Sequence, residues 1–180
     1  MPQGAEAAKE VICEIIAASG GRLAGKVRLY KAFYFAHLYY WESGCGTLTD
    51  YPIVRLPQGP GIDGGDELLT ELEREGRIEI TEQSNGPYRE QVFSISRSVE
   101  LDPDDPRFRA IEEAVKWIEG KTGAELSAIT HEYSRSWRQS TDGDVLDIYS
   151  DLLSDSEYQR VQQALVEAED LVNGAFGGAG

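Results

Sequence analysis

Cysteine and histidine are scarce in this chain, which has 180 residues and only two of each. Two cysteines are too few for a disulfide scaffold. Cys13 and Cys45 also lack the spacing of a metal site, and neither forms a short sequence motif with His37 or His131. The composition therefore excludes a disulfide-rich or zinc-finger protein, and it leaves a Cys–His nucleophile pair as one alternative.

Long apolar stretches are also missing. No run approaches the roughly 20 residues that a membrane-spanning helix needs. The first residues do not form a basic stretch followed by an apolar one, because Glu6, Glu10 and Glu14 interrupt them. We therefore expect a cytoplasmic protein without a membrane partner.

Basic residues are outnumbered: 17 lysines and arginines stand against 32 acidic residues, for a formal net charge of −15. Nucleic-acid binding depends on neutralising phosphates, so this charge argues against a nucleic-acid partner. One stretch differs, because residues 15–41 contain no acid and include Arg22, Lys26, Arg28 and Lys31. A small basic edge on an acidic body suits a protein partner better than a duplex.

Apolar residues recur at helical spacing near the start of the chain. Residues 5–18 repeat them at steps of three and four, which predicts an amphipathic helix. Residues 25–42 are apolar on nearly every side, which predicts a helix buried between layers. This second helix is the predicted centre of the core.

The middle of the chain combines a glycine- and proline-rich segment with short regular elements. Residues 53–56 are predicted to be extended, and 57–65 are predicted to form a rigid turn rather than a phosphate-binding loop. A short leucine helix follows and ends at Gly76. Segments 77–80 and 92–96 flank an Asn-Gly turn, which predicts a hairpin.

Capping signals mark helices in the last part of the chain. Three helix starts carry them: Asp105 with Pro106, Thr122 with Glu125, and Ser154 with Glu157. The last of these helices continues through Tyr158, Val161, Leu165, Ala168 and Val172. The predicted fold is a mainly helical α+β single domain over residues 1–173 with a small β-hairpin. Residues 174–180 are predicted to be a disordered glycine-rich tail.

The stretch 128-AITHEYSRSWRQS-140 contains one of the two histidines and is a candidate for chemistry. His131 and Glu132 are adjacent, so on a helix they point about 100° apart and are poorly placed to share a metal. In the simpler interpretation His131 ends a helix and stacks near Trp137. A metal- or cysteine-dependent hydrolase that uses His131, with Glu132 or Cys45, stays open as an alternative.

A winged-helix DNA-binding regulator is a further alternative. The helix at 66–75 followed by a hairpin has this outline, but the helix is rich in acid and its one basic residue is Arg74. A recognition helix normally presents basic and amide side chains to the major groove. DNA binding through this helix is therefore disfavoured.

Three motifs occur in an order that resembles a known family. The stretch 26-KVRLYKAFYFAHLYY-40 has a lysine followed by an aromatic, then alanine and histidine, and leads into more aromatics. The segment 51-YPIVRLPQGP-60 reads as extended and ends in Gly59-Pro60. A late Leu-Ser…Thr-His…Trp signature comprises Leu126, Ser127, Thr130, His131 and Trp137. This succession, over residues 24–140, resembles the SocA-like antitoxins, also called the Panacea domain.

The resemblance implies a protein that is not an enzyme. Members of that family are typically antitoxins of bacterial and phage toxin–antitoxin pairs, and they neutralise a co-encoded toxin by direct contact. The implied partner is a cognate toxin from an adjacent gene, and no cofactor or metal is implied. The partner-binding residues suggested by the motifs are Lys31, Tyr34, His37, Gly59, Pro60, Thr130, His131 and Trp137.

Overall fold

The computed structural model describes residues 4–176, with side chains at 4–84 and 86–171. In chain order the elements are α1 (Ala5–Ala18), β1 (Arg22–Ala24), α2 (Lys26–Glu42), β2 (Ile53–Leu56), β3 (Gly59–Ile62), α3 (Gly65–Arg74), β4 (Ile78–Asn85), β5 (Tyr88–Ile95), α4 (Pro106–Ile118), α5 (Gly123–Tyr133), α6 (Arg135–Arg138), a 3₁₀ turn (Ile148–Leu152) and α7 (Asp155–Phe176). The described residues thus form a mainly helical α+β single domain with two small antiparallel sheets, which confirms the predicted fold class.

Helix α2 is the centre of the core, as its apolar sequence predicts. Its buried side chains are Leu29, Tyr30, Lys31, Ala32, Phe33, Tyr34, Ala36, His37 and Leu38. Helices α1, α4 and α5 and strands β1, β3 and β5 pack around it. Gly25 precedes it at φ 94°, a conformation that favours glycine, and its N–H donates to O of Gln91 at 2.8 Å. The chain can therefore turn sharply from β1 into α2.

The predicted helix starts are present. Asp105 accepts a hydrogen bond at 2.8 Å from a backbone N–H in the first turn of α4. Thr122 and Glu125 form the capping box of α5. Ser154 and Glu157 bond reciprocally at the start of α7. Capping depends on residues that are close in sequence, which is why these starts could be predicted.

The three-stranded antiparallel sheet has the order β1–β5–β4 and contacts α1 and α2. The predicted hairpin is confirmed, and its strands are longer than expected: pairing extends from Ile78↔Ile95 to Asn85↔Tyr88. Strand β1 was not predicted, because three residues are too few to show an alternating pattern.

A second hairpin joins β2 to β3 through Pro57 and Gln58. Strand β2 coincides with the extended segment predicted at 53–56. The prediction of a rigid turn over 57–65 is wrong for residues 59–62, which form β3. Glycine and proline concealed this strand because both are depleted in strands, although a short two-stranded ribbon tolerates them.

Helix α7 continues through Phe176, so residues 174–176 are helical rather than part of a disordered tail. Residues 1–3, assigned by sequence to the domain, and 177–180, assigned to the tail, lie outside the described residues. None of the described helices has the length and apolar character that crossing a bilayer requires.

Candidate functional site

Lys31 lies on α2 and is only 1% exposed. Its Nζ donates to O of Pro60, on β3, at 2.9 Å. Among the described residues, no carboxylate forms an ion pair with it. Burial lowers the pKa of Lys31 to about 7, because the charged amine is poorly solvated there. The side chain is therefore a buried amine that can change charge near neutral pH.

Gly59 allows β3 to approach α2 and α5 closely. Its φ is +104°, and a Cβ at this position would lie 2.6 Å from Nζ of Lys31 and closer still to Oγ1 of Thr130. The Thr130 hydroxyl donates within its own helix, to O of Leu126 at 3.0 Å. Four of the predicted site residues converge here: Lys31, Gly59, Pro60 and Thr130.

His131 stacks on Trp137, as the simpler interpretation of the sequence predicts. The ring centroids are 4.0 Å apart and the planes differ by 11°. The guanidinium carbon of Arg55 lies 4.0 Å from the Trp137 ring centroid, and the indole N–H donates to O of Leu56 at 2.8 Å. The stack therefore fastens α5 and α6 to β2. Nε2 of His131 is buried and has no hydrogen-bond partner in the part of the chain that the structure describes.

A metal-dependent hydrolase needs a cluster of metal ligands, and the side chains are described at residues 4–84 and 86–171. Within them, no group of three or more His, Cys, Asp or Glu side chains could hold a metal ion. Cys45 is exposed after α2, with its Sγ 3.9 Å from O of Ser43. Glu132 is exposed as well. Within the same residues, the contacts of these side chains bring no nucleophile or second ligand to His131.

Tyr34 belongs to a separate cluster, built on the carboxylate of Asp151. The Tyr34 hydroxyl donates to Oδ2 of Asp151 at 2.6 Å. Ser134 and Ser136 donate to the same oxygen at 2.8 and 2.9 Å. Burial, together with the negative charge of Asp151, raises the pKa of Tyr34. This cluster holds the 3₁₀ turn against α2 and α6, and Tyr34 is enclosed within it.

His37 is enclosed beside the loop that precedes β2. Its Nδ1–H donates to O of Phe33 at 2.8 Å, which leaves Nε2 to accept from the Thr49 hydroxyl at 3.0 Å. Burial lowers the pKa of His37 to about 4, so the ring is neutral at physiological pH. Both ring nitrogens are therefore used inside the protein, and the residue offers no surface to a partner in this conformation.

An open cavity of about 270 Å³ lies beside Lys31. Its apolar walls are formed by Val27, Tyr30, Leu56, Pro57, Pro60 and Ile62. On the more exposed side, Lys26 and Asp66 form an ion pair at 2.8 Å. Of the predicted site residues, Lys31, Gly59 and Pro60 therefore share a concave surface.

Helix α7 presents an exposed face that the sequence interpretation did not identify. Residues 159–171 are exposed throughout. The large apolar side chains on this stretch are Val161, Leu165, Val166 and Leu171, which are 44%, 54%, 52% and 75% exposed. The helix is attached near its start, where Arg135 pairs with Asp155 at 2.7 Å and lies 4.5 Å from the Tyr158 ring centroid. From residue 159 to residue 171 the helix is therefore exposed to solvent.

Two further charged residues, near Tyr34 and Trp137, hold neighbouring elements together and were not predicted from the sequence. Asp151 gathers the hydroxyl groups around Tyr34, and Arg55 binds O of Ser140 at 2.6 Å as well as the Trp137 ring. Their partners lie 15 to 117 positions away in sequence, so no local pattern marks them.

Comparison with known proteins gives no relative: no protein-family model, no curated protein and no solved structure matches this chain. The resemblance to the SocA-like antitoxins therefore rests on the order of motifs in the sequence.

Proposed function

We propose that this protein is an antitoxin-like protein-binding module that neutralises a co-encoded toxin by direct contact in a bacterial or phage toxin–antitoxin system. We further propose that α7 is its main docking element. The observation that carries the proposal is the apolar face of α7 that Val161, Leu165 and Ala168 form, which is exposed to solvent.

The apolar face of α7 has the spacing of a helix that packs on another element. Tyr158, Val161, Leu165 and Ala168 follow one another at steps of three, four and three, as in the seam of a coiled coil. Isolated helices are marginally stable in water, and most helices gain stability by burying an apolar face. A 22-residue helix whose apolar side chains between residues 159 and 171 lie in solvent therefore favours a binding partner.

The charge of α7 favours a basic partner over a second copy of this chain. The acidic residues of the helix are Asp155, Glu157, Glu167, Glu169 and Asp170, whereas Arg160 is its one basic residue. Pairing two copies of α7 would bring two acidic helices together, and like charges oppose association. A groove with apolar walls and a basic rim complements both features of α7.

The motif order supports the same function independently of α7. The lysine–aromatic motif, Gly59-Pro60 and the Thr130, His131 and Trp137 motif occur in the succession of the SocA-like antitoxins. Their side chains are largely buried, so in this protein they build the body that carries α7.

The DNA-binding alternative has a topological feature in its favour but not a chemical one. Strand β1 joins the hairpin that follows α3, which extends the winged-helix outline. The exposed side of α3, however, carries Asp66, Glu67 and Glu73 against Arg74. These carboxylates would face phosphates, so a protein partner is the better candidate.

Co-expression with the product of the adjacent gene tests the proposal. We expect the neighbour to be toxic alone and harmless with this protein, and the two proteins to co-purify as a complex. Leu165→Asp places a charge in the apolar face and should abolish both rescue and the complex.

Gln163→Asp is the matched control, because it adds the same charge to the same exposed helix outside the apolar seam. It should retain rescue, and circular dichroism should report equal helix content in both variants. A harmless neighbour that forms no complex would refute the proposal. Full rescue by Leu165→Asp would remove α7 from it.

A further inference from the structure

The two buried lysines, Lys9 and Lys31, differ in their charged partners. Lys9, 5% exposed, has three carboxylates within ion-pair distance: Glu75 at 2.6 Å, Glu6 at 2.9 Å and Glu71 at 3.7 Å. Lys31, 1% exposed, has one backbone carbonyl at 2.9 Å and no ion pair within the described residues. A lysine ammonium carries three N–H donors, and a buried charge is stable only when it is paired. Lys31 therefore lacks the counter-ion that Lys9 has.

Lys31 lines the open cavity together with Pro60, whose carbonyl oxygen accepts the hydrogen bond from its Nζ. Gly59 helps to keep this space free, because a methyl group there would lie 2.6 Å from Nζ. The remaining walls are mainly apolar, with Val27, Leu56 and Ile62 among them. An apolar group with acceptor oxygens at one end can therefore fill the cavity and reach the amine.

We infer that this cavity is a binding site for an apolar group ending in a single carboxylate, with the Lys31 ammonium as its counter-ion. Such a group is either a free small acid or the C-terminal residue of a peptide. A polyanion such as a nucleotide is disfavoured, because Lys26, the other cation of the cavity, is already paired with Asp66 at 2.8 Å. Glu67, which also lines the cavity, would repel additional negative charge.

Binding of a carboxylate is coupled to protonation of Lys31. Burial lowers the pKa of the free amine to about 7, and a bound carboxylate favours the charged form. The other titratable groups of the cavity are Tyr30 and Lys26 on α2 and Asp66 and Glu67 on α3. Strand β3 and helix α5 present Gly59, Pro60 and Thr130 to Lys31, and these do not titrate. Affinity for a carboxylate should therefore fall as the pH rises above 7.

The experiment uses the full chain and two probes of equal shape and different charge, benzoate and benzamide. Isothermal titration calorimetry or NMR measures their binding. We expect benzoate to bind at least ~10-fold more tightly than benzamide at pH 6.5, and to weaken about 10-fold between pH 6.5 and pH 8.5 as Lys31 loses its proton. Lys31→Met should reduce benzoate affinity to the level of benzamide. Lys26→Met, which removes the other lysine of the cavity, should leave benzoate the tighter ligand.

A second pair of probes separates the two sources of the carboxylate. Acetyl-glycyl-leucine has a free C-terminus, and its amide is the matched neutral compound. Binding of the acid form that requires Lys31 supports a peptide C-terminus, and binding of benzoate alone supports a small acid. The inference is overturned if no acid binds, if acid and amide bind equally, or if the affinity for the acids does not change with pH. The outcome does not depend on the toxin, so it can fail while the antitoxin proposal stands.

Discussion

At the scale of single residues, Lys31 should make the stability depend on pH around neutrality, whereas Lys9 should not. Burial lowers the pKa of Lys31 from 10.5 to about 7, so between these values the unfolded chain binds a proton that the folded protein does not. The contribution of Lys31 to the free energy of unfolding therefore rises with pH across this interval. The hydrogen bond to Glu75 raises the pKa of Lys9 above 10.5, so below that pH Lys9 keeps its proton in both states.

Lys31→Met should therefore change the pH dependence of unfolding. Relative to the variant, the wild-type protein should gain about 1.4 kcal/mol of unfolding free energy per pH unit, or ~3 kcal/mol between pH 7 and pH 9.5. Urea unfolding at several pH values measures this difference. Lys9→Met is the control, and its effect on stability should stay constant over the same range. A constant effect of Lys31→Met would mean that Lys31 titrates alike in the folded and unfolded protein.

Single residues also show what could and could not be predicted from the sequence. Lys31, Gly59 and Thr130 come from three separate sequence motifs and converge in space, while their role in partner binding stays a prediction. Their burial could not be predicted. The sequence of an aromatic helix with one lysine is the same whether the lysine amine contacts water or a backbone carbonyl. The roles of Asp151 and Arg55 were missed for a related reason: their partners are hydroxyls and carbonyls distant in sequence.

At the scale of elements, α7 and the body should behave as separable parts. Among the side chains that the structure describes, the attachments of α7 end at Tyr158, and residues 159–171 are exposed. A chain ending at residue 158 should therefore lose helix signal in circular dichroism while its unfolding midpoint in urea stays unchanged. A chain ending at residue 152 also loses the Arg135–Asp155 pair and the Tyr158 contact, and it should be destabilised by roughly 1 kcal/mol.

A lower midpoint for the chain ending at residue 158 would show that α7 packs on the body.

The helices also show which parts of the fold the sequence could predict. Helices α1, α2, α4 and α5 follow from apolar periodicity and capping, which are local properties. The outward direction of α7 was not predictable, because its periodic apolar face is equally suited to a core and to a partner.

At the scale of the whole molecule, the net charge of −15 should govern the rate at which a partner associates. The apolar face of α7 should govern the rate at which the partner dissociates. Electrostatic attraction between an acidic protein and a basic partner accelerates encounter and is screened by salt. Apolar contacts act mainly on dissociation, which is where most affinity differences arise. The two contributions can therefore be separated kinetically.

If the proposed complex with a toxin forms, its association rate should fall about 10-fold between 50 and 300 mM salt in surface plasmon resonance. Glu167→Gln combined with Glu169→Gln should slow association at low salt and leave dissociation nearly unchanged. Leu165→Ala should do the reverse, raising the dissociation rate about 10-fold, because a half-exposed leucine that becomes buried contributes about 1–2 kcal/mol. Association that is independent of salt would contradict a basic partner. An unchanged dissociation rate for Leu165→Ala would mean that the partner binds elsewhere on the body.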